Sequence, residues 1–223
     1  MFSIDYINND LKENNKLVYI DIGANDGVTI SNSLHLEING WDGICIEPLS
    51  TIADKLRKNR KCTIHECACT NNDGIVKFTA CSEHTEMLSG ISEDYNPLHV
   101  NRIDSEIKTF GGSKTEIDVK ASRLQPLIED FFIKRGNLTE KYHVNFLSID
   151  TEGNKLKVLQ SIDFTKSRFD LMTIETNYRE EDEKIKIFLA ENKYAFIGRL
   201  GGDDLYIEDS VFVSERFKAL LPK

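Results

Sequence analysis

The chain has 223 residues, 40% of them hydrophobic and 29% charged. A chain of that length can bury about 70% of its unfolded surface as one globular domain, so neither a disulfide nor a metal is needed to hold a core. Twenty-eight basic residues against 37 acidic ones leave a net charge of −9, which repels polyanions and argues against a nucleic-acid partner. No apolar run approaches the ~20 residues of a membrane-spanning helix, and the start, Met1-Phe2-Ser3-Ile4-Asp5, lacks the basic and apolar pairing of a secretory leader. The expectation is a cytoplasmic protein, of a bacterium or of a virus inside its host cell. Cys45, Cys62, Cys67, Cys69 and Cys81 then read as reduced structural thiols. Cys67-x-Cys69 lacks the two-residue gap of a zinc knuckle.

In chain order, Leu17-Val18-Tyr19-Ile20-Asp21-Ile22 is a strand-like run, ended by a Gly/Asn/Asp turn through Gly27. A helix is predicted over 29–39, with Gly40 placed to stop it. Gly43-Ile44-Cys45-Ile46-Glu47 reads as a second buried strand, and Pro48 suits the first turn of a helix over 49–59. A third strand is expected over 63–68. The hairpin signal Asn72-Asp73-Gly74 predicts that 75–79 folds back antiparallel. The polar segment 82–114 has the length of a functional lid, with Gly90 as its flexible point. Beyond it come an edge strand over 117–121, a helix over 123–134, a strand over 144–150 and a helix over 155–160. A strand over 169–175 and a charged amphipathic helix over 180–192 follow. Two strands, 194–199 and 205–213, close the chain around Gly201-Gly202-Asp203-Asp204.

Such alternation argues for an α/β fold with a doubly wound, mostly parallel sheet. With its closing antiparallel hairpin, this is by analogy the Rossmann-like fold of class I S-adenosylmethionine methyltransferases. The organisation expected is a single domain over 1–223 with an acceptor-binding lid insertion at 82–114.

Ligands of such sheets bind outside the carboxyl ends of the strands. Asp21-Ile22-Gly23-Ala24-Asn25-Asp26-Gly27 sits there after the first strand. Gly23 admits a ligand close to the backbone, and Gly27 can take dihedrals other residues avoid. The loop is not Gly-x-Gly-x-x-Gly, so it makes a poor pyrophosphate cradle. Its acidity suits a cation instead, and the sulfonium and ammonium of S-adenosylmethionine would be drawn to Asp21. Glu47, closing the second strand, is placed to accept the hydroxyl protons of a ribose, although it can equally cap the next helix. Cys67-Ala68 would flank an adenine ring. Phe146-Leu147-Ser148-Ile149-Asp150-Thr151-Glu152-Gly153 brings two carboxylates to the end of a central strand, with Asp150 pointing inward and Glu152 partly a helix cap.

The chain resembles the FkbM-type methyltransferases in Tyr19-Ile20-Asp21-Ile22-Gly23-Ala24-Asn25-Asp26-Gly27, Ile46-Glu47-Pro48 and Leu147-Ser148-Ile149-Asp150-Thr151-Glu152-Gly153. Ile174-Glu175 and Asp204-Leu205-Tyr206-Ile207 are similar to that family as well. The resemblance implies S-adenosylmethionine as donor and O-methylation of a hydroxyl on a sugar, nucleotide sugar, glycan or related natural product. It implies donor contacts from Asp21, Gly23, Asn25, Glu47 and Ala68, with Ala24, Gly27, Pro48 and Asp150 completing the stretch.

A sugar hydroxyl needs a base to take its proton. Asp150, Glu152 and His84 are the candidates. His65 reads as core, and His143 lies at the far edge of its strand. A second possibility is a divalent cation: Asp150, Glu175 and Asn177 present oxygens from two adjacent strands, which suits Mg²⁺. Two rival functions use the same crevice. An NAD-linked oxidoreductase is disfavoured by the missing glycine motif, and a non-catalytic nucleoside- or partner-binding module by retention of both acidic motifs.

Overall fold

Five consecutive buried residues, Val18–Ile22, form β1, and their burial on both faces requires helices above and below the sheet. The computed structural model describes residues 16–137 and 140–213, so the leaderless start read above lies outside the described residues. After β1 come α1 (Leu34–Ile38), β2 (Asp42–Ile46), α2 (Ser50–Asn59) and β3 (Thr63–His65). Next are β4 (Ala68–Cys69) and β5 (Gly74–Cys81). Two 3₁₀ turns, Glu83–Leu88 and Ser92–Asp94, flank β6 (Gly90–Ile91) and lead into α3 (Pro97–Phe110). Then follow β7 (Lys114–Ser122), α4 (Leu124–Lys134), β8 (Tyr142–Ile149) and α5 (Lys155–Gln160). The described chain ends with β9 (Ser167–Glu175), α6 (Arg179–Glu191), β10 (Tyr194–Leu200), β11 (Asp203–Glu208) and α7 (Asp209–Phe212).

The main sheet has seven strands in the order β10-β11-β9-β8-β1-β2-β3. β11 pairs antiparallel with both neighbours, and the pairs β9–β8, β8–β1, β1–β2 and β2–β3 are parallel. This is the doubly wound sheet with an antiparallel end that the sequence predicts. One face buries Ile20, Ile46 and Leu147 under Ile128 of α4, Val158 of α5 and Leu189 of α6. The other buries Tyr19, Cys45 and Phe146 under Leu36 of α1 and Leu56 of α2. Among the described residues no helix is long and apolar enough to cross a membrane.

Several elements depart from expectation: the strand predicted over 205–213 stops at Glu208 where a short helix begins, and the one over 63–68 stops at His65, with Ala68–Cys69 in a different sheet. The helix predicted over 29–39 shrinks to Leu34–Ile38. The Asp26 carboxylate accepts from the N–H groups of Val28 (2.8 Å) and Thr29 (2.7 Å), and Ile30 takes φ +54°, so the loop holds a non-helical shape. The expected hairpin at Asn72-Asp73-Gly74 does not close on the third strand. β7 lies between β4 and β5 in a second sheet, β4-β7-β5-β6, pairing parallel with β4 and antiparallel with all of β5. A two-residue β4 offers little edge, whereas β7 matches β5 over its full length, so 117–121 is the middle of an inner strand. Residues 82–114 are likewise no structureless lid. Asn96 caps α3 by accepting from Leu98 N at 2.9 Å, with Pro97 at the first turn, and the helix buries His99 and Ile103. Asn96-Pro97 was a legible start signal.

Candidate active site

The carboxyl ends of β1, β2, β4 and β8 open on one cleft. Backbone bonds tie its walls together: Gly23 N and Ala24 N both donate to the Ile46 carbonyl, at 3.0 and 3.1 Å, and Asp150 N donates to the Ile22 carbonyl at 2.9 Å. Gly23 has φ +81°, and a Cβ there would stand 1.8 Å from the Asp150 carbonyl oxygen. The loop after β1 therefore presses against the loop after β8, with only a hydrogen between them.

Glu47 lies in the wall with 7% of its surface exposed. Its Oε1 accepts from Leu49 N at 2.9 Å. Burial pushes its carboxyl up to about 7, against the opposing pull of the Leu49 and Asn25 N–H groups. It thus braces the turn before α2 and faces the cleft at once, a combination that suits a hydroxyl-bearing ligand. Pro48 and Asn25 border it, and Cys67, Ala68, Ile52 and Phe78 make an apolar slot beyond. An acid next to an apolar slot matches a ribose joined to a flat base.

At the other end of the cleft lie Asp150 and Glu152. Asp150 opens to the cleft, yet the protein around it and then the Glu175 carboxyl push its pKa well upward. Glu152 is 8% exposed. Desolvation first, then Glu175, push it up to about 7, while Lys155 pulls the other way. Asn177 Nδ2 bridges the pair, donating to Glu152 Oε2 (2.8 Å) and Glu175 Oε2 (2.9 Å). Lys155 is buried to 1% exposure, its Nζ 3.2 Å from Glu175 Oε2. Burial works against its charge, but Glu175, Glu152 and Glu181 together hold its pKa above the lysine range.

Of the residues predicted to hold a divalent cation, Asn177 turns its amide N–H toward the Glu152 and Glu175 carboxylates, and Glu175 faces the Lys155 ammonium. Among the described residues no group of three His, Cys, Asp or Glu side chains is arranged to hold a metal ion.

Other predicted site residues fall elsewhere. Asp21 is buried and spends its carboxylate on Ser33 Oγ (2.5 Å), which in turn accepts from Arg60 Nη2 at 3.0 Å. It borders a small hollow beside the cleft together with Ala24, and neither lines the cleft itself. Gly27 packs on Leu56 and Arg60, and its carbonyl accepts from Arg60 Nη1 at 3.0 Å, so its role is to seat α2. His84 is exposed and rests on Phe110, ring centroids 4.7 Å apart, outside the cleft. His143 pairs with Asp170 at 2.7 Å at the start of β8. Gly90 is no flexible point: it is buried, and a Cβ there would meet the Tyr95 ring at 2.6 Å and the Glu152 carbonyl at 3.0 Å. A Cβ on Gly153 would likewise meet the Asp94 carbonyl at 2.5 Å. Those two glycines let the segment 82–114 dock on the Glu152 loop.

Sequence reasoning missed His99 and Lys155. His99, buried on α3, places Nδ1 3.4 Å from Glu152 Oε2. Lys155 opens the helix predicted over 155–160, and nothing in the sequence singles it out.

The family model described as "Methyltransferase FkbM domain" matches residues 21–197. No match was found among curated proteins. Among solved structures, the chain is similar to a ribosomal protein L11 methylase from Lactobacillus delbrueckii subsp. bulgaricus, at 8% identity and TM-score 0.41, covering 88% of this chain and 71% of that one. It is also similar to M. capricolum TrmK in complex with S-adenosyl-homocysteine, at 11% identity and TM-score 0.38, covering 93% and 67%. A third is a precorrin-6y C5,15-methyltransferase from Geobacter metallireducens, at 12% identity and TM-score 0.31, covering 89% and 82%. The chain belongs to the FkbM methyltransferase family, and its methyl donor is S-adenosylmethionine.

Proposed function

We propose that the protein moves a methyl group from S-adenosylmethionine to a hydroxyl of a sugar, nucleotide sugar, glycan or related natural product. The observation that carries this reading is Glu152: a buried carboxyl at the far end of the cleft, raised toward neutrality, with Oε2 held by Asn177. A hydroxyl is the acceptor that needs such a base, because its proton must leave as the new bond forms. The donor supplies an electrophilic methyl carbon on a positively charged sulfur, so much of the remaining barrier is alignment. Glu47 holds the ribose hydroxyls, the slot around Ala68 takes the adenine, and Gly23 keeps that wall thin. Asp150 and Glu152 line the methyl end of the cleft.

The domain works as a single unit, with the insertion 82–114 forming the acceptor wall through Met87, Ser89 and Gly90. Five free thiols suit a reducing cytoplasm, and the net negative charge disfavours an RNA acceptor. Labelled methyl transfer onto a panel of deoxysugars and nucleotide sugars tests the reading. Turnover on at least one hydroxyl is expected, with Glu152→Gln slower by roughly 10²–10⁴-fold. Donor binding without transfer to any hydroxyl, or an undiminished Glu152→Gln, would refute it.

A further inference from the structure

We propose that Glu152 and His99 form a proton relay: Glu152 takes the acceptor proton on Oε1 while the proton on its Oε2 passes to His99 Nδ1. This rests on the hydroxyl-acceptor reading above and names the residue behind the base.

The tautomer of His99 follows from its surroundings. Its ring is 1% exposed. Nε2 lies 3.0 Å from the Leu88 carbonyl, which also receives the Tyr95 hydroxyl at 2.7 Å. A carbonyl only accepts, so Nε2 carries a hydrogen. In the neutral ring Nδ1 is then a bare lone pair with no hydrogen-bond partner, and it faces Glu152 Oε2 at 3.4 Å. A lone pair opposite an ionised carboxylate oxygen is repulsive in a buried site. One proton between the two atoms removes the conflict.

The groups around the pair fix where that proton rests. Tyr95 stacks on the imidazole at 4.6 Å between centroids. Burial, Arg102 on the next turn of α3 and Lys155 on α5 disfavour an imidazolium, while the Leu88 carbonyl and Glu175 at the end of β9 favour it. Desolvation and Glu175 favour a neutral Glu152, opposed by Lys155 and Arg102. Tyr178 faces the same cluster and stays a neutral phenol. With Nδ1 a bare lone pair 3.4 Å away, the resting proton of the pair is the one on Glu152 Oε2, donated toward Nδ1 while that oxygen accepts from Asn177 Nδ2 at 2.8 Å.

In the transfer the acceptor O–H bond breaks, its oxygen bonds the methyl carbon, and the carbon–sulfur bond breaks with its electron pair going to sulfur. The acceptor proton arrives on Oε1, the Oε2 proton moves to Nδ1, and Glu152 is neutral before and after. The positive charge lost at sulfur reappears on the imidazole, so the site's net charge is unchanged. His99 is a positioning residue in this scheme, acting through Glu152.

The test is a pH titration of the ¹⁵N-labelled imidazoles in the full chain, comparing wild type with Glu152→Gln and using His99→Gln to assign the signal. The relay predicts the Nε2–H tautomer at neutral pH and an Nδ1 signal displaced by its hydrogen bond. In Glu152→Gln the Nδ1 signal shifts, because the carboxyl proton donated to it is gone. An Nδ1–H tautomer, or an Nδ1 signal identical in both proteins, overturns it. This measurement needs no acceptor, so it decides the pair even if the hydroxyl reading fails. On an acceptor that is turned over, His99→Gln lowers kcat by roughly 10²-fold, shifts the acidic limb of the pH profile and spares the donor KM. Unchanged kcat and pH profile in that variant overturn the relay too.

Discussion

A hydrogen on Gly23 is all that the Asp150 carbonyl leaves room for, and the backbone there is left-handed as well. Gly23→Ala combines both costs, about 1–2 kcal/mol for the conformation and about 1–3 kcal/mol for overpacking. Urea denaturation is expected to show a loss of roughly 2–5 kcal/mol, and a loss under 1 kcal/mol would contradict the close approach. Position along a strand made Gly23, Glu47, Asp150 and Glu152 legible from sequence, since the end of a parallel strand faces the crevice whatever the packing. His99 and Lys155 were illegible for the opposite reason. Nothing local marks a histidine or lysine as buried, and both depend on carboxylates distant in the chain. The bond from the Ser33 hydroxyl to Asp21 was equally illegible, because Ser33 lies at the start of another element.

At the scale of elements, Arg60 ties β1, α1 and α2 together. Its side chain is fully buried, donating to Glu37 Oε2 (2.9 Å), Tyr19 OH (2.9 Å) and the Gly27 carbonyl. Tyr19 OH in turn donates to Glu37. Burial pulls the Glu37 carboxyl upward, but Tyr19, the Lys61 N–H and Arg60 hold it below the ordinary range. Its contribution is therefore present above the unfolded carboxylate pKa and is lost as pH falls through the folded value. Arg60→Ala leaves the half-buried Glu37 carboxylate without its cation and the Gly27 carbonyl without this donor, and should cost about 1–3 kcal/mol by chemical denaturation at pH 7. A change within 1 kcal/mol would mean that the network is ornamental. Periodicity located most elements of the main sheet, whereas the second sheet escaped it. The Asn72-Asp73-Gly74 turn is a local signal, and the β7 strand that displaces the expected partner arrives some forty residues later.

For the whole molecule, acids in and beside the cleft hold their protons more tightly than free carboxyls do. Glu47 is pushed up to about 7, and burial drives Asp21, Asp150 and Glu152 upward as well. Between about pH 4 and pH 8 the folded chain therefore binds more protons than the unfolded one, so stability falls as pH rises through that window. The ligand-free Tm should drop by roughly 5 °C or more from pH 5.5 to pH 8. A flat or rising Tm would contradict the buried-acid account. Calorimetric titration with S-adenosylmethionine probes the central claim most directly. Wild type should bind with measurable heat, and Glu47→Ala, losing a charged hydrogen bond to the ribose, should bind roughly 10- to 100-fold more weakly. Absence of heat in wild type, or equal affinity in the two proteins, would contradict the assignment of this cleft.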